Sequence, residues 1–128
     1  MAEVKRSVRI GERVREVLSG LLLREVRDPR VNTLIISEVE MTSDLQLAKV
    51  RFRLPTGDEP ATRKAALAGL ESASGMLRRE VGKRLALRYA PRFAFFYDEN
   101  PERRDRIDEI LNEIAREPRP PAKDDEES

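Results

Sequence analysis

Between Arg78 and Arg92 the chain carries six cations, Arg78, Arg79, Lys83, Arg84, Arg88 and Arg92, against one acid, Glu80. Arginine and lysine at this density suit one kind of chemistry, the gripping of phosphate oxygens. Guanidinium meets a phosphate with two parallel hydrogen bonds, and ammonium meets it as a point charge. The simplest alternative is a solvated helix face that serves solubility. The excess of cations over acids favours contact with RNA. A second basic group, Arg6, Arg9, Arg13 and Arg24, gathers along one flank of the first apolar stripe. Glu12 and Glu16 lie beside it, so its role stays open.

Other chemistries are poorly served. The chain has no histidine and no cysteine. It therefore lacks an imidazole base, a thiolate nucleophile and the usual zinc ligands. Neither a cofactor nor a metal is expected, and no catalytic residue is assigned. Asp28, Asp44 and Asp98 are the carboxylates an enzyme could use, yet each stands at an element end and suits turn or cap duty. Four aromatics, Phe93, Phe95, Phe96 and Tyr97, share a short run. Alternation buries Phe93, Phe95 and Tyr97 on one side and leaves Phe96 as the one ring expected to be exposed; with 5% aromatics and no tryptophan, recognition is expected to rest on backbone and shape rather than on stacking.

These groups need elements to hold them. The chain has 128 residues, 39% apolar and 38% charged, enough for one domain with a charged surface. Net charge is +1, but residues 117–128 carry five acids and two cations. The remainder, 23 cations and 19 acids, has a net charge of +4. An acidic tail masks a basic body. Neither a membrane-spanning stretch nor a signal-peptide pattern is present, which leads to the expectation of a soluble, cytoplasmic protein.

Ile10, Val14, Val17, Leu18, Leu21 and Leu22 predict a helix from about Ser7 to Arg24, stopped at Asp28-Pro29-Arg30. Leu34–Met41 and Ala48–Leu54 predict two strands of a hairpin, turned at Thr42-Ser43-Asp44. Lys49, Arg51 and Arg53 alternate with the apolar residues of the second strand, on its outer face. After the loop Pro55–Pro60, Ala61–Ala73 predicts a helix, interrupted at Ala73-Ser74-Gly75. A second helix follows, with Leu77, Val81 and Leu85 inward and Arg79 and Lys83 outward, ending near Leu87. Phe93–Tyr97 predicts a third strand. Asn100-Pro101 predicts the start of a last helix through Ile107, Ile110, Leu111 and Ile114. The predicted order is α-β-β-α-α-β plus a C-terminal helix. That is an α+β fold with a three-stranded sheet and helices on one face, a domain over 1–116 and a disordered acidic tail over 117–128.

A helix pair broken beside a basic helix suggests the KH class, in which a GXXG loop clamps a nucleic-acid backbone. Here Ala73-Ser74-Gly75 stands where that loop would fall. With Arg13-Val14, Glu25 to Arg30, Val39-Glu40-Met41, Ser43-Asp44-Leu45, Ala48-Lys49-Val50, Leu77-Arg78, Gly82-Lys83, Leu87-Arg88, Pro91 and Phe95-Phe96-Tyr97-Asp98, the chain resembles the ribosome-binding factor A family of bacteria. The match covers most of Arg13 to Asp98 and fades in Pro55–Pro60 and in the tail. The resemblance implies a KH-like domain of the second topological type, with an Ala-x-Gly kink in place of GXXG. It implies a factor that binds the free small ribosomal subunit and its rRNA, and supports late maturation and processing of the rRNA 5′ end. Other assembly factors are implied as further partners. A monomer is expected. The competing reading is a protein-binding adaptor that uses the hairpin and the last helix without touching RNA.

Overall fold

The computed structural model describes residues 2–100, with side chains from Arg6 onward. The predicted last helix and the acidic tail lie outside the described residues. The elements are α1 (Ala2–Arg24), β1 (Ile35–Met41), β2 (Leu47–Arg53), α2 (Pro60–Arg84) and β3 (Arg92–Tyr97). The sheet order is β1-β2-β3. β1 and β2 form the expected antiparallel hairpin, and β3 returns parallel to β2. α2 is therefore the crossover that a parallel pair requires.

The hairpin register explains an irregularity in β1. Ile36, Val39 and Met41 are buried, a spacing that strict alternation forbids. A bulge between Ile36 and Glu38 accommodates it, leaving Ser37 as the additional residue. The Ser37 hydroxyl is directed to the Asp98 carboxylate at 2.5 Å and lies 3.2 Å from the Arg51 carbonyl, which ties β1 to the end of β3. Asp98 is 1% exposed, and its own N–H donates to the Phe52 carbonyl.

One face of the sheet carries the core. Ala48, Val50 and Phe52 of β2 and Phe95 of β3 are buried with Val14, Leu18, Leu21 and Leu22 of α1. Phe93 and Tyr97 pack against the same core. Gly11 lets α1 cross β1 closely, since a Cβ there would lie 2.6 Å from the Val39 carbonyl oxygen. Gly69 does the same for α2 against the loop after α1, where a Cβ would lie 2.7 Å from Val31 Cγ1.

The structure corrects the sequence reading of the helical segment between the hairpin and β3. Helical structure runs unbroken through Ala73-Ser74-Gly75, so the two predicted helices are the single 25-residue α2. Among the described residues no glycine has positive φ, Gly75 included. The physical reason is phase. Ala66, Leu70, Ala73, Leu77 and Val81 follow one another by three or four residues, so a continuous stripe faces the core across the expected break. Ser74 remains helical, with its hydroxyl donating to the Glu71 carbonyl at 3.0 Å.

The break comes instead after Arg84. Leu85 caps α2, Ala86 takes the left-handed conformation at φ 53, and the Leu87 N–H bonds back to the Gly82 carbonyl. This is a Schellman ending with alanine where glycine is usual. Glycine thus occupies an exposed helical position with open space around it, and alanine occupies the left-handed one. Both Gly75→Ala and Ala86→Gly should raise thermal stability, each by about 1 kcal/mol, read as an upward shift of the melting temperature.

Candidate nucleic-acid interface

The buried stripe of α2 decides what its opposite side presents. Gly75, Arg79 and Lys83 lie four residues apart on that outer side, and all are exposed. Ala68 and Ser72 extend the ridge toward the N-terminal end of α2, also exposed, with Lys64 beyond them. A partner strand could approach the helix backbone closely over the small residues while Arg79 and Lys83 meet its phosphates. Neither cation forms an ion pair among the described residues.

The other nominated cations divide by what holds them. Arg78 is turned back to the fold: its guanidinium donates to the Pro91 carbonyl at 3.1 Å and the Ala90 carbonyl at 3.3 Å. It fastens the return loop to α2. Gly82 completes the seat, since a Cβ there would come within 3.2 Å of Ala90 Cβ. Arg84 pairs with Glu25 at 3.0 Å and Glu80 at 3.2 Å. These hydrogen bonds, that to Glu25 foremost, raise its pKa further. Arg84 therefore links α2 to the segment after α1. Arg88 and Arg92 are exposed on the return loop and at the start of β3. Because α2 ends at Arg84, Arg88 has left the helix and stays clear of its apolar face.

On α1, Arg6, Arg9, Arg13 and Arg24 are all exposed. Glu12 pairs with Arg15 at 3.1 Å, away from this flank. The Arg24 guanidinium folds back along α1, where a Cβ on Gly20 would lie 2.8 Å from it. Arg6 stands eighteen residues away, about 27 Å along the helix axis. Arg24 and Arg6 therefore lie at opposite ends of α1.

The carboxylates are dispersed. Asp28 accepts from the Arg30 side chain and backbone, which lowers its pKa. The Thr42 hydroxyl, then the Gln46 N–H, hold Asp44 low in the hairpin turn, where Leu45 has φ 61. Asp98 accepts from Ser37 and from the Asn100 N–H. Among the described residues no group of three or more His, Cys, Asp or Glu could hold a metal ion. Asp58, not singled out by any sequence pattern, accepts from the Tyr97 hydroxyl at 3.1 Å, lowering its pKa, with Arg63 adding to the effect. Arg63 lies 3.8 Å over the Tyr97 ring, closing the loop before α2 onto β3.

On the face of the sheet away from the helices, Glu38 and Glu40 of β1 stand opposite Arg51 and Lys49 of β2. Arg51 pairs with Glu40 at 3.3 Å and sits 5.9 Å from the Phe96 ring centroid. Arg53, predicted outward, is buried; it donates to the Asn100 carbonyl, and its Nε has no partner. Phe96 is 46% exposed, but it is not alone: Tyr89 is 60% exposed, on the return loop among the cations. Its place between Arg88 and Arg92 was the signal in the sequence.

The ribosome-binding factor A profile matches residues 6–111. A Sorangium cellulosum protein of that name is 52% identical over 112 residues, 87% of this chain and 90% of its own length. The chain belongs to the ribosome-binding factor A family. A Brevibacillus brevis member is 46% identical, covering 85% of this chain and 88% of its own. The solution structure of a Thermotoga maritima protein described as a ribosome binding factor A superposes with a TM-score of 0.63 at 27% identity, over 76% of this chain and 91% of that one. The crystal structure of the Thermus thermophilus family member matches at TM-score 0.61 and 21% identity, over 71% and 94%, and supports the fold. The α+β, KH-like fold is thus that of the family. No helix among the described residues is long and apolar enough to cross a membrane.

The division of cations is testable. Arg78→Ala should cost about 1–2 kcal/mol in a denaturant melt, because two carbonyls lose a charged donor. Arg79→Ala should leave stability within about 0.5 kcal/mol of the parent.

Proposed function

We propose that this chain is a non-enzymatic assembly factor that binds the free small (30S) ribosomal subunit and its rRNA. In this reading it supports late maturation of the subunit, including processing of the 5′ end of 16S rRNA. The observation that carries the reading is the ridge of α2, where exposed Arg79 and Lys83 continue a line of small residues through Gly75, in a member of the ribosome-binding factor A family. A homology model of the Thermus thermophilus ribosome binding factor A has been fitted into the cryo-EM map of a 30S–RbfA complex. The principal phosphate contacts are Arg79 and Lys83, joined by Arg88 and Arg92. Arg24 extends the surface, and Arg6, Arg9 and Arg13 make outlying contacts. The protein acts as a cytoplasmic monomer, and its domain spans residues 1–116.

Rigid-body contact with folded rRNA needs no chemistry from the protein. Binding energy comes from counterion release and depends steeply on salt. The double variant Arg79→Glu/Lys83→Glu should keep its melting temperature and lose affinity for purified small subunits. Its salt slope should flatten by about 0.7 to 0.9 log units per lost contact. Unchanged binding and slope in a folded double variant would sink the assignment.

The maturation role has its own measurement. Cells depleted of the protein should accumulate 16S precursor with an unprocessed 5′ end, seen by primer extension. The purified protein should leave that precursor intact, and cleavage by a clean preparation would overturn the non-enzymatic reading.

A further inference from the structure

Two large aromatic rings stand exposed, and their surroundings differ. Phe96 carries Arg51 over its ring, and Glu40 neutralises that arginine across the sheet. Tyr89 lies in a stretch from Val81 to Tyr97 that contains no acid at all. Its hydroxyl makes no hydrogen bond among the described residues, whereas the Tyr97 hydroxyl is spent on Asp58. The Arg88 guanidinium lies 5.4 Å from the Tyr89 ring centroid.

The loop that carries Tyr89 is held at both ends. Before it, the Leu87 N–H bonds to the Gly82 carbonyl. After it, Ala90 rests on Gly82, Arg78 grips the Ala90 and Pro91 carbonyls, and Pro91 is buried. A ring presented on a braced loop loses little conformational freedom on binding. The arginine beside the ring and the acid-free stretch around it favour a polyanion over an ordinary protein surface. Stacking on a ring requires a base whose face is free, and bases within a duplex spend theirs on one another.

We propose that Tyr89 is a stacking anchor that takes an unpaired nucleobase of RNA, while Lys83, Arg88 and Arg92 hold the flanking phosphates. This rests on the RNA-binding reading above and deepens it, since it names the class of RNA: a strand with an unpaired nucleotide rather than a continuous duplex. Tyr89→Phe keeps the stacking face, and Tyr89→Ala removes it.

The test uses the full chain, a fluorescent single-stranded RNA 12-mer, the same strand annealed to its complement, and purified small subunits. Tyr89→Ala should bind the single strand about fivefold or more weakly than the parent, with unchanged duplex affinity and unchanged salt slope. Small-subunit binding should fall in parallel, and Tyr89→Phe should match the parent throughout. Tyr89→Trp gives the chain its only tryptophan, and single-stranded RNA should quench its emission. Equal single-strand binding by Tyr89→Ala and parent, or an unquenched Tyr89→Trp, would overturn the anchor while leaving the basic ridge standing. A loss confined to subunits, with the single strand bound normally, would assign the ring to a protein contact and also overturn it. A parent that binds neither RNA nor subunits would remove the RNA-binding reading itself and the anchor with it.

Discussion

The unbroken apolar stripe of α2 against the sheet is the constraint on which the rest depends. β2 and β3 run parallel, so the chain must cross the sheet between them, and α2 makes the crossing. Its buried Leu70, Leu77 and Val81 meet a core that includes Val50, Phe52 and Phe95. Each such side chain contributes roughly 1.5–3 kcal/mol when withdrawn from water. No arrangement of surface charges competes with that sum, so the stripe fixes the rotation of the helix about its axis. Once the rotation is fixed, Gly75, Arg79 and Lys83 have nowhere to point but outward. The candidate interface is thus a consequence of core packing, and its precision is that of the core.

The same helix sorts its arginines by angle. Arg79 is opposite the stripe and projects to solvent. Arg78, one residue earlier, is turned by about 100° and meets the return loop, where the Ala90 and Pro91 carbonyls need donors. Arg84 lies at the margin near the segment after α1 and meets Glu25. Composition alone counts these three as equal charges. Two of them brace the surface on which the third, with Lys83, is displayed. Exposed ion pairs such as Arg84–Glu25 stabilise little, so the bracing by Arg78 through half-buried loop carbonyls is the stronger of the two.

Much of this was legible in the sequence. The hairpin, the inward face of β3 and the apolar stripe of α1 follow from alternation and helical spacing, and the structure has them within a few residues. The parallel return of β3 was not legible, because strand direction depends on a crossover that periodicity does not report. Ala73-Ser74-Gly75 misled because glycine and serine are poor helix formers. Local propensity of that size yields to a stripe that stays in phase on both sides, and the four-residue step from Ala73 to Leu77 carried this information. The end of α2 was hidden for the complementary reason: Ala86 carries no mark of a left-handed residue. The buried Arg53 and the Ser37–Asp98 contact depend on a bulge and on residues far apart in sequence, which no local pattern encodes.

The placement of glycine and alanine along α2 bears on function. At position 75 the helix forgoes side-chain contact and helix propensity although an added Cβ would meet nothing within 4 Å. At position 86 it accepts a left-handed alanine although glycine would relieve it. The second choice leaves the loop fewer alternative conformations, since alanine restricts the chain where glycine would free it. The first leaves the helix backbone bare beside Arg79. A stiff loop and a bare helix are both poor choices for stability alone. Both suit the proposed contact with a large polyanion, because close approach strengthens charge contacts and a braced loop would present Tyr89 and Arg88 without further ordering.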